Sequence, residues 1–268
     1  MALLTLCAVA FATFFRELLH AWLNDENYSF GILIPSLVAY LIWARRARIR
    51  SEEPSAWSRG LVLVAFGCGL QVLASRTGTM IESGIALVLV ILGCVAYLWG
   101  KRRMIVIAGP LALLMLMVPL PSYAVGELSW YLQSTASTAS AAILGALGVP
   151  VFQDGNLLKL PHYVLEVKEA CSGSHSIFAL LALAFAIGLG RGSKYWIRVL
   201  LIVVAPLLAL SANIIRIVGT GMIAIEWGNL AASTSLHETW GIVVFLIAVM
   251  GLVGINNFFG RSSCKSAS

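Results

Sequence analysis

The sequence predicts an all-α polytopic membrane protein, and three observations lead to this fold class. Of the 268 residues, 60% are apolar and 11% are charged, whereas ordinary soluble domains are roughly 45–50% apolar and about 25% charged. The mean hydropathy is +0.92. Long uncharged runs recur along the chain, and a helix crosses the hydrocarbon core of a bilayer in roughly 20 residues. Together these features argue against a soluble globule, a disordered chain and a nucleic-acid binder.

The apolar runs between charged residues predict about eight transmembrane helices. They lie near residues 2–22, 29–44, 60–75, 83–100, 104–120, 173–190, 197–225 and 237–258. No basic segment precedes the first run and no convincing cleavage site follows it, so we expect a retained span rather than a signal peptide. The turn after it, which contains Tyr28, is expected to be a solvated loop.

The 18 basic residues predict the orientation of the chain, because basic loops stay cytoplasmic. Thirteen of them fall in one set of connections: Arg45, Arg46, Arg48, Arg50, Arg59, Lys101, Arg102, Arg103, Arg191, Lys194, Arg198, Arg261 and Lys265. Three fall in the opposite set, and Arg16 and Arg216 lie inside predicted spans. Both termini are therefore predicted to be cytoplasmic. The net charge of +6 is a topology signal and does not indicate a nucleic-acid partner.

Residues 121–169 form the long connection on the predicted outer face. A span over 122–149 would move the basic loop around Arg191 outside, and it would expose a small, polar stretch to lipid. We therefore expect an interfacial helix there, or one that dips into the bundle.

The part of this connection after the helix predicts a short β-hairpin. Residues 151–160 and 163–167 have the composition of two short strands around a turn. We predict one integral-membrane domain over residues 1–268, with 121–169 as an insertion at its outer face.

Three polar regions near the predicted outer face could carry chemistry, and the first surrounds Cys171. A nucleophilic or charged side chain at membrane depth is a functional candidate, because its burial costs free energy. Cys171 lies where a helix begins, and unpaired N–H groups and the helix dipole lower a thiol pKa there. His175 would share a helix face with it, as a candidate base or thiolate partner. Glu169 would tune the thiol or simply solvate the boundary.

The second region contains Arg216, whose guanidinium stays charged at any relevant pH. Arg216 would hold an anion, either the Cys171 thiolate or the oxyanion formed when a carbonyl is attacked. Snorkelling to the outer headgroups, or an ion pair with Glu226 or Glu238, would be a structural alternative. Asn213 lies one turn earlier and would orient Arg216 or a substrate amide, or bond to another helix.

The third region begins at His237, which can exchange a proton near neutral pH. A cysteine acyl-transfer enzyme needs such a group to protonate the leaving amine. A structural role near the start of a helix is the alternative.

A zinc site is the weaker interpretation of the same side chains. Cys171, His175 and His237 could supply three ligands and leave one position open. His237-Glu238 begins like a zincin helix, but Gly241 stands where that motif requires a second histidine. We therefore expect neither a metal nor a cofactor.

These regions resemble the exosortase/archaeosortase family of membrane cysteine transpeptidases. The resemblance is strongest at Glu169-Ala170-Cys171-Ser172-Gly173, Asn213-Ile214-Ile215-Arg216 and His237. It extends to Tyr28-Ser29-Phe30-Gly31 and Val118-Pro119-Leu120-Pro121. It implies that Cys171 is the nucleophile, Arg216 the catalytic arginine and His237 the catalytic histidine.

The sequence departs from the family pattern at two places. Ser174 and His175 stand where the family commonly has an apolar residue and an arginine, and Phe30 precedes Gly31 where a histidine is common. The first difference changes the charge beside the nucleophile, and the second bears on substrate recognition.

The resemblance implies cleavage of C-terminal sorting signals, each with a short Pro-Glu-Pro type motif, a transmembrane helix and a basic tail. A Cys171 thioester would then pass the protein to an acceptor amine or to water. Such systems accompany exopolysaccharide production in Gram-negative bacteria, which implies a site facing the periplasm in the inner membrane. The alternative is a transporter or a non-catalytic membrane subunit for envelope polysaccharide.

Overall fold

The structure is a computed structural model that describes residues 10–161, 163–167, 174–190, 194–227 and 234–265. It is 83% helical, and four of the described helices are long and apolar enough to cross a membrane, or up to five if a bent pair counts as one span. Tyr28–Ala44 and Ser176–Gly190 are shorter apolar helical stretches. A mostly helical protein with several candidate spans is therefore confirmed, whereas the number eight stays a prediction.

The chain forms two compact units, and the first comprises residues Met1–Leu120. Its described helices are α1 (Ala12–Asn24), α2 (Ile34–Ala44), α3 (Arg46–Ser51), α4 (Gly60–Thr77), α5 (Met80–Trp99) and α6 (Lys101–Ala112), with 3-10 helices at Glu26–Leu33 and Leu113–Met117.

Helices α4 and α5 approach each other closely because glycines face each other between them. A Cβ added to Gly60 would lie 2.7 Å from the carbonyl oxygen of Gly93, and one added to Gly93 would lie 2.8 Å from that of Gly60. Small residues let helix backbones approach in this way within membranes. A Cβ at either position would meet mainly backbone atoms, and at Gly93 also the Val64 side chain at 2.7 Å.

The basic connections that the sequence predicts to be cytoplasmic meet at one end of this unit. Arg103 donates hydrogen bonds of 3.0 and 2.8 Å to the carbonyl oxygen of Glu52, and Arg102 lies 3.8 Å from the Glu52 carboxylate. The backbone N–H of Trp57 donates to the carbonyl oxygen of Ala96 at 3.2 Å. The segment after α3 and the start of α6 therefore meet.

Tyr28 is packed, so the expectation of a solvated loop is wrong for this residue, whereas Asp25 and Ser29 of the same turn are exposed. Tyr28 is only 3% exposed, and its hydroxyl oxygen accepts a hydrogen bond of 2.9 Å from the Leu120 N–H. The Trp22 indole donates to the Met117 carbonyl oxygen at 3.1 Å. A phenol ring can be buried when its hydroxyl has a partner, and the segment around Leu120 supplies that partner.

The second unit comprises residues Pro121–Ser268. Its described elements are α7 (Ser122–Ala146), β1 (Phe152–Asp154), β2 (Leu157–Leu160), β3 (Tyr163–Glu166), α8 (Ser174–Gly190), α9 (Tyr195–Trp227) and α10 (Thr234–Lys265).

Helix α7 occupies most of the stretch over which the sequence predicts a helix at 122–149. Its buried face carries Ser129, Leu132, Gln133, Ala136, Ser137, Ser140 and Leu144. These positions recur every three or four residues, as expected for one helix face. The small, polar side chains thus face the protein interior. The interfacial placement of this helix stays a prediction.

The sheet has three strands, so the prediction of a two-stranded hairpin is wrong. The strands are antiparallel in the order β1-β2-β3, and the register pairs Phe152 with Lys159. Gly155 adopts φ +59°, which lets the chain reverse between β1 and β2. A two-residue turn of this kind needs positive φ, which glycine adopts readily. What looked like one strand over 151–160 is therefore two strands.

The sheet is attached to α7 and to the apolar core of this unit. The Asn156 side-chain amide donates a hydrogen bond of 2.7 Å to Gln133 Oε1 of α7. Leu158 is fully buried in a cluster that also contains Ala136 and Ile217. The hairpin turn is thereby tied to α7, and β2 is packed onto residues of α7 and α9.

Candidate functional site

Asn213 and Arg216 lie one turn apart on α9, a helix of 33 residues. Asn213 is 4% exposed, and Arg216 is partly buried. The Thr220 hydroxyl donates a hydrogen bond of 2.8 Å to the carbonyl oxygen of Arg216. Asn213 and Arg216 thus lie on one face of a helix, as the sequence predicts, and the orienting role of Asn213 stays a prediction.

Helix α10 meets Arg216 at a glycine. A Cβ added to Gly241 would lie 3.3 Å from Arg216 Cδ and 3.4 Å from one of its terminal nitrogens. That separation is tighter than most real Cβ contacts, so a larger residue would push the guanidinium away. Gly241 thus gives the arginine side chain room to lie against the backbone of α10.

A second glycine contact lies next to the first, with the roles of the two helices exchanged. A Cβ added to Gly219 of α9 would lie 2.6 Å from Trp240 Nε1 of α10. The indole nitrogen is buried and has no hydrogen-bond partner among the described residues. Each helix therefore contributes one glycine and one large side chain to the contact. The sequence did not predict this role of Gly241. The signal for it was a glycine at the end of both the second and the third polar region, Gly219 and Gly241.

The start of α8 completes the arrangement. A cavity of about 10 Å³ is lined by Ser176, Ala212, Asn213, Arg216, Gly241, Val244 and Phe245. Such a volume holds about one water molecule. Ser176 belongs to α8, Arg216 to α9 and Gly241 to α10. Residues from all three polar regions of the sequence therefore line one cavity. Ser176 ends the first region and was not predicted as a site residue.

A family model described as transmembrane exosortase matches residues 22–254 of the chain. The chain belongs to the transmembrane exosortase family. No curated protein and no solved structure matches it. Exosortases are generally cysteine peptidases or transpeptidases, and several apolar helices agree with a multi-pass membrane protein. The resemblance inferred from the motifs is confirmed.

The structure of this exosortase describes only some of the predicted site residues. Cys171 and Glu169 lie outside the described residues. His175 lies in α8 and His237 in α10, and their side chains are outside the described part. Residue 237 comes one helical turn before Gly241, about 6 Å along the axis of α10. Cys171 precedes Ser176 by five positions in the sequence.

The alternative interpretations of the site depend on the same side chains. No group of three metal-ligating residues occurs in the described part of this exosortase. The possible zinc ligands Cys171, His175 and His237, however, have no described side chains. The same holds for Glu226 and Glu238, the suggested ion-pair partners of Arg216. Both alternatives stay predictions.

Where Phe30-Gly31 departs from the family pattern, the chain keeps a glycine at a position that has no room for a side chain. A Cβ added to Gly31 would overlap the indole of Trp22. The Trp22 indole in turn donates to Met117, so the glycine is needed for a contact that involves three segments of the first unit. The departure therefore changes the side chain at position 30 and leaves the glycine-dependent packing in place.

Proposed function

We propose that this exosortase cleaves C-terminal sorting signals through a Cys171 thioester and transfers the protein to an acceptor. The observation that supports this most strongly is the shared cavity of Ser176, Arg216 and Gly241. Cys171 lies just before the helix of Ser176, and His237 lies one turn before Gly241 on α10. A nucleophile, a fixed cation and a proton donor would thus approach one point.

The reaction is a double displacement at a carbonyl carbon. The Cys171 thiolate attacks the scissile carbonyl, a C–S bond forms, and the carbonyl π-electrons move onto oxygen. As the oxyanion collapses, the C–N bond breaks and the amine leaves with a proton from His237. An acceptor amine then attacks the thioester, gives a proton to His237 and expels the Cys171 thiolate. With water as acceptor, the same steps give hydrolysis.

Arg216 would stabilise the negative charge in both steps. Its side chain is partly buried between two helices, and its contact with Gly241 limits the positions that the guanidinium can take. A positioned cation stabilises a developing oxyanion without reorganising at the moment of reaction. Asn213 would orient Arg216 or a substrate amide, whereas Glu169 and His175 would tune the Cys171 thiol.

The substrate would approach within the membrane. We infer eight spans, both termini in the cytoplasm and a site facing the periplasm across the inner membrane. The distribution of basic residues supports this orientation. The transmembrane helix of a sorting-signal protein would dock laterally, and the peptide just outside the bilayer would meet Cys171.

Processing of a co-expressed sorting-signal protein tests the proposal. Cys171→Ala should abolish cleavage, because the proposed thioester forms on the Cys171 thiolate. Cys68→Ala is the matched control, since it removes an exposed cysteine of α4 in the other unit, and it should process normally. Immunoblotting of the substrate separates precursor from product. Full processing by Cys171→Ala would rule out the proposed nucleophile.

Thiol labelling distinguishes the enzyme from a transporter or a non-catalytic subunit. In purified protein at neutral pH, Cys171 should react faster with a maleimide than Cys68, because an activated cysteine carries a larger thiolate fraction. Peptide mass spectrometry gives the two rates. Equal rates at both positions would favour a non-enzymatic role.

A further inference from the structure

A cavity of about 390 Å³ lies at one end of the first unit, where α4 begins and α5 ends. Two segments of the chain form its walls, the connection before α4 and the junction of α5 with α6. Its lining residues are Glu53, Ser55, Trp57, Gly100, Lys101 and Arg102. Ligand pockets are typically about 300–1,000 Å³, so this space can hold a small polar group. We call it the α4–α6 cavity.

The two walls of the α4–α6 cavity are fixed to each other by backbone contacts. The Trp57 N–H bonds to the carbonyl oxygen of Ala96 at 3.2 Å. Gly100 adopts φ +96°, and a Cβ added to it would overlap the carbonyl oxygen of Ser55. Arg103 holds the segment before α4 through its two hydrogen bonds to the Glu52 carbonyl oxygen. The charged side chains of the cavity are therefore carried by walls whose separation is set.

Opposite charges line the α4–α6 cavity without pairing with each other. Among the described residues, neither Glu53 nor Lys101 forms an ion pair. The Lys101 ammonium lies 5.6 Å from the centroid of the Trp57 ring. The Arg102 side chain is 81% exposed and lies 3.8 Å from the Glu52 carboxylate, which leaves guanidinium donors for a ligand, since arginine has five. The cavity thus offers two cations and one carboxylate to a ligand that carries both signs of charge.

The position of the α4–α6 cavity favours a lipid as that ligand. Helices α4 and α5 are two of the candidate membrane spans, and Trp57 and Gly100 lie within three residues of their ends. Tryptophan is typical of the membrane–water interface, and basic pockets at that level bind lipid headgroups. Leu61 of α4 and Leu98 of α5 are exposed apolar side chains at the same end, which suits acyl chains. A headgroup in the cavity could therefore keep its chains beside the two helices.

We propose that the α4–α6 cavity binds the headgroup of a zwitterionic phospholipid of the phosphatidylethanolamine type. Its phosphate accepts charge-assisted hydrogen bonds from Lys101 and Arg102, and its ammonium group donates to Glu53. An anionic headgroup without an amine, as in phosphatidylglycerol, leaves the Glu53 carboxylate without a partner. If the basic residues only fixed the orientation of the chain, Glu53 would have no part in lipid binding. The site is separate from the proposed reaction at Cys171.

Native mass spectrometry of the delipidated full-length protein in detergent tests the proposal with added phosphatidylethanolamine or phosphatidylglycerol. The wild type should bind phosphatidylethanolamine about tenfold more tightly, because a hydrogen bond between charged groups is typically worth about that factor. Glu53→Gln should remove this preference by weakening the binding of phosphatidylethanolamine. Lys101→Gln should weaken the binding of both lipids about tenfold, since both carry the phosphate.

Arg59→Gln is the matched control, since Arg59 is an exposed basic residue of the same connection that does not line the cavity. It should leave phosphatidylethanolamine binding unchanged, because a headgroup without net charge is hardly attracted by a distant cation. Equal losses in Arg59→Gln and Lys101→Gln would overturn the inference, and so would equal affinity of the wild type for the two lipids. Glycerophosphoethanolamine, the same headgroup without acyl chains, should not displace the lipid at equal concentration. Displacement would mean that the ligand is soluble and that the assignment to a lipid is wrong.

Discussion

Two helix contacts in this protein rely on glycine and use it differently. Between α4 and α5, Gly60 and Gly93 let one backbone approach the other. Between α9 and α10, Gly219 gives room to the Trp240 indole and Gly241 to the Arg216 side chain. We expect the first contact to serve packing alone. We propose that the second, where the Arg216 side chain lies at a cavity, serves the reaction.

The largest effect is expected when the cation at the second contact, Arg216, is replaced. Arg216→Lys keeps the positive charge but removes the planar guanidinium and its several donors. We expect kcat/KM for sorting-signal cleavage to fall about 10²–10³-fold, as when an oxyanion donor is lost. The thermal unfolding midpoint should change little, and scanning fluorimetry would check it. Near-normal cleavage by Arg216→Lys would mean that charge alone suffices at this contact.

Replacing one glycine in each contact by alanine compares them directly. Gly241→Ala should lower the cleavage rate about tenfold with little effect on stability, because its Cβ displaces the Arg216 side chain by a few tenths of an ångström. In Gly93→Ala the new Cβ meets backbone atoms at 2.8 Å. Overpacking of this kind typically costs about 1–3 kcal/mol. We therefore expect a lower unfolding midpoint and an unchanged rate per folded molecule.

Activity assays corrected for the folded fraction separate the two outcomes. If Gly241→Ala loses stability and activity in proportion, the α9–α10 contact is no different in kind from the α4–α5 contact. If Gly93→Ala slows cleavage in the folded fraction, the α4–α5 contact influences the reaction, and the distinction between the two fails.

The smallest expected effect is on the pKa of a carboxyl group in the sheet. Lys159 donates a hydrogen bond to Asp154 and lowers the pKa of its carboxyl group. A lowered folded-state pKa contributes stability above the ordinary carboxyl pKa, and this stability is lost as the pH falls through the folded-state value. Lys159→Gln should raise the pKa of Asp154 and barely change stability at neutral pH, because the pair is exposed. Carbon-13 NMR titration of Asp154 would measure the shift, and an unchanged value would show that the bond does not persist in solution.

Hydrophobic runs and charge were enough to predict the membrane class, the helix that became α7 and the face that Asn213 and Arg216 share. The sequence could not predict which residue of a distant segment contacts a given side chain. Tyr28 is buried because Leu120, ninety-two positions away, supplies its hydrogen-bond partner. The third strand depends on a local turn conformation, the positive φ of Gly155. The role of Gly241 depends on contact with Arg216 of another helix. Periodicity within one segment contains neither this turn conformation nor the long-range contacts.

The central claim is that Cys171 forms a thioester beside Arg216 and His237. Mass spectrometry of the purified enzyme, trapped with a sorting-signal substrate in the absence of an acceptor amine, tests it most directly. We predict one substrate fragment bound covalently to Cys171, with its new end at the cleaved peptide bond, and no such adduct in Arg216→Ala. A cleaved substrate without an adduct at Cys171, or an adduct at another residue, would contradict the account.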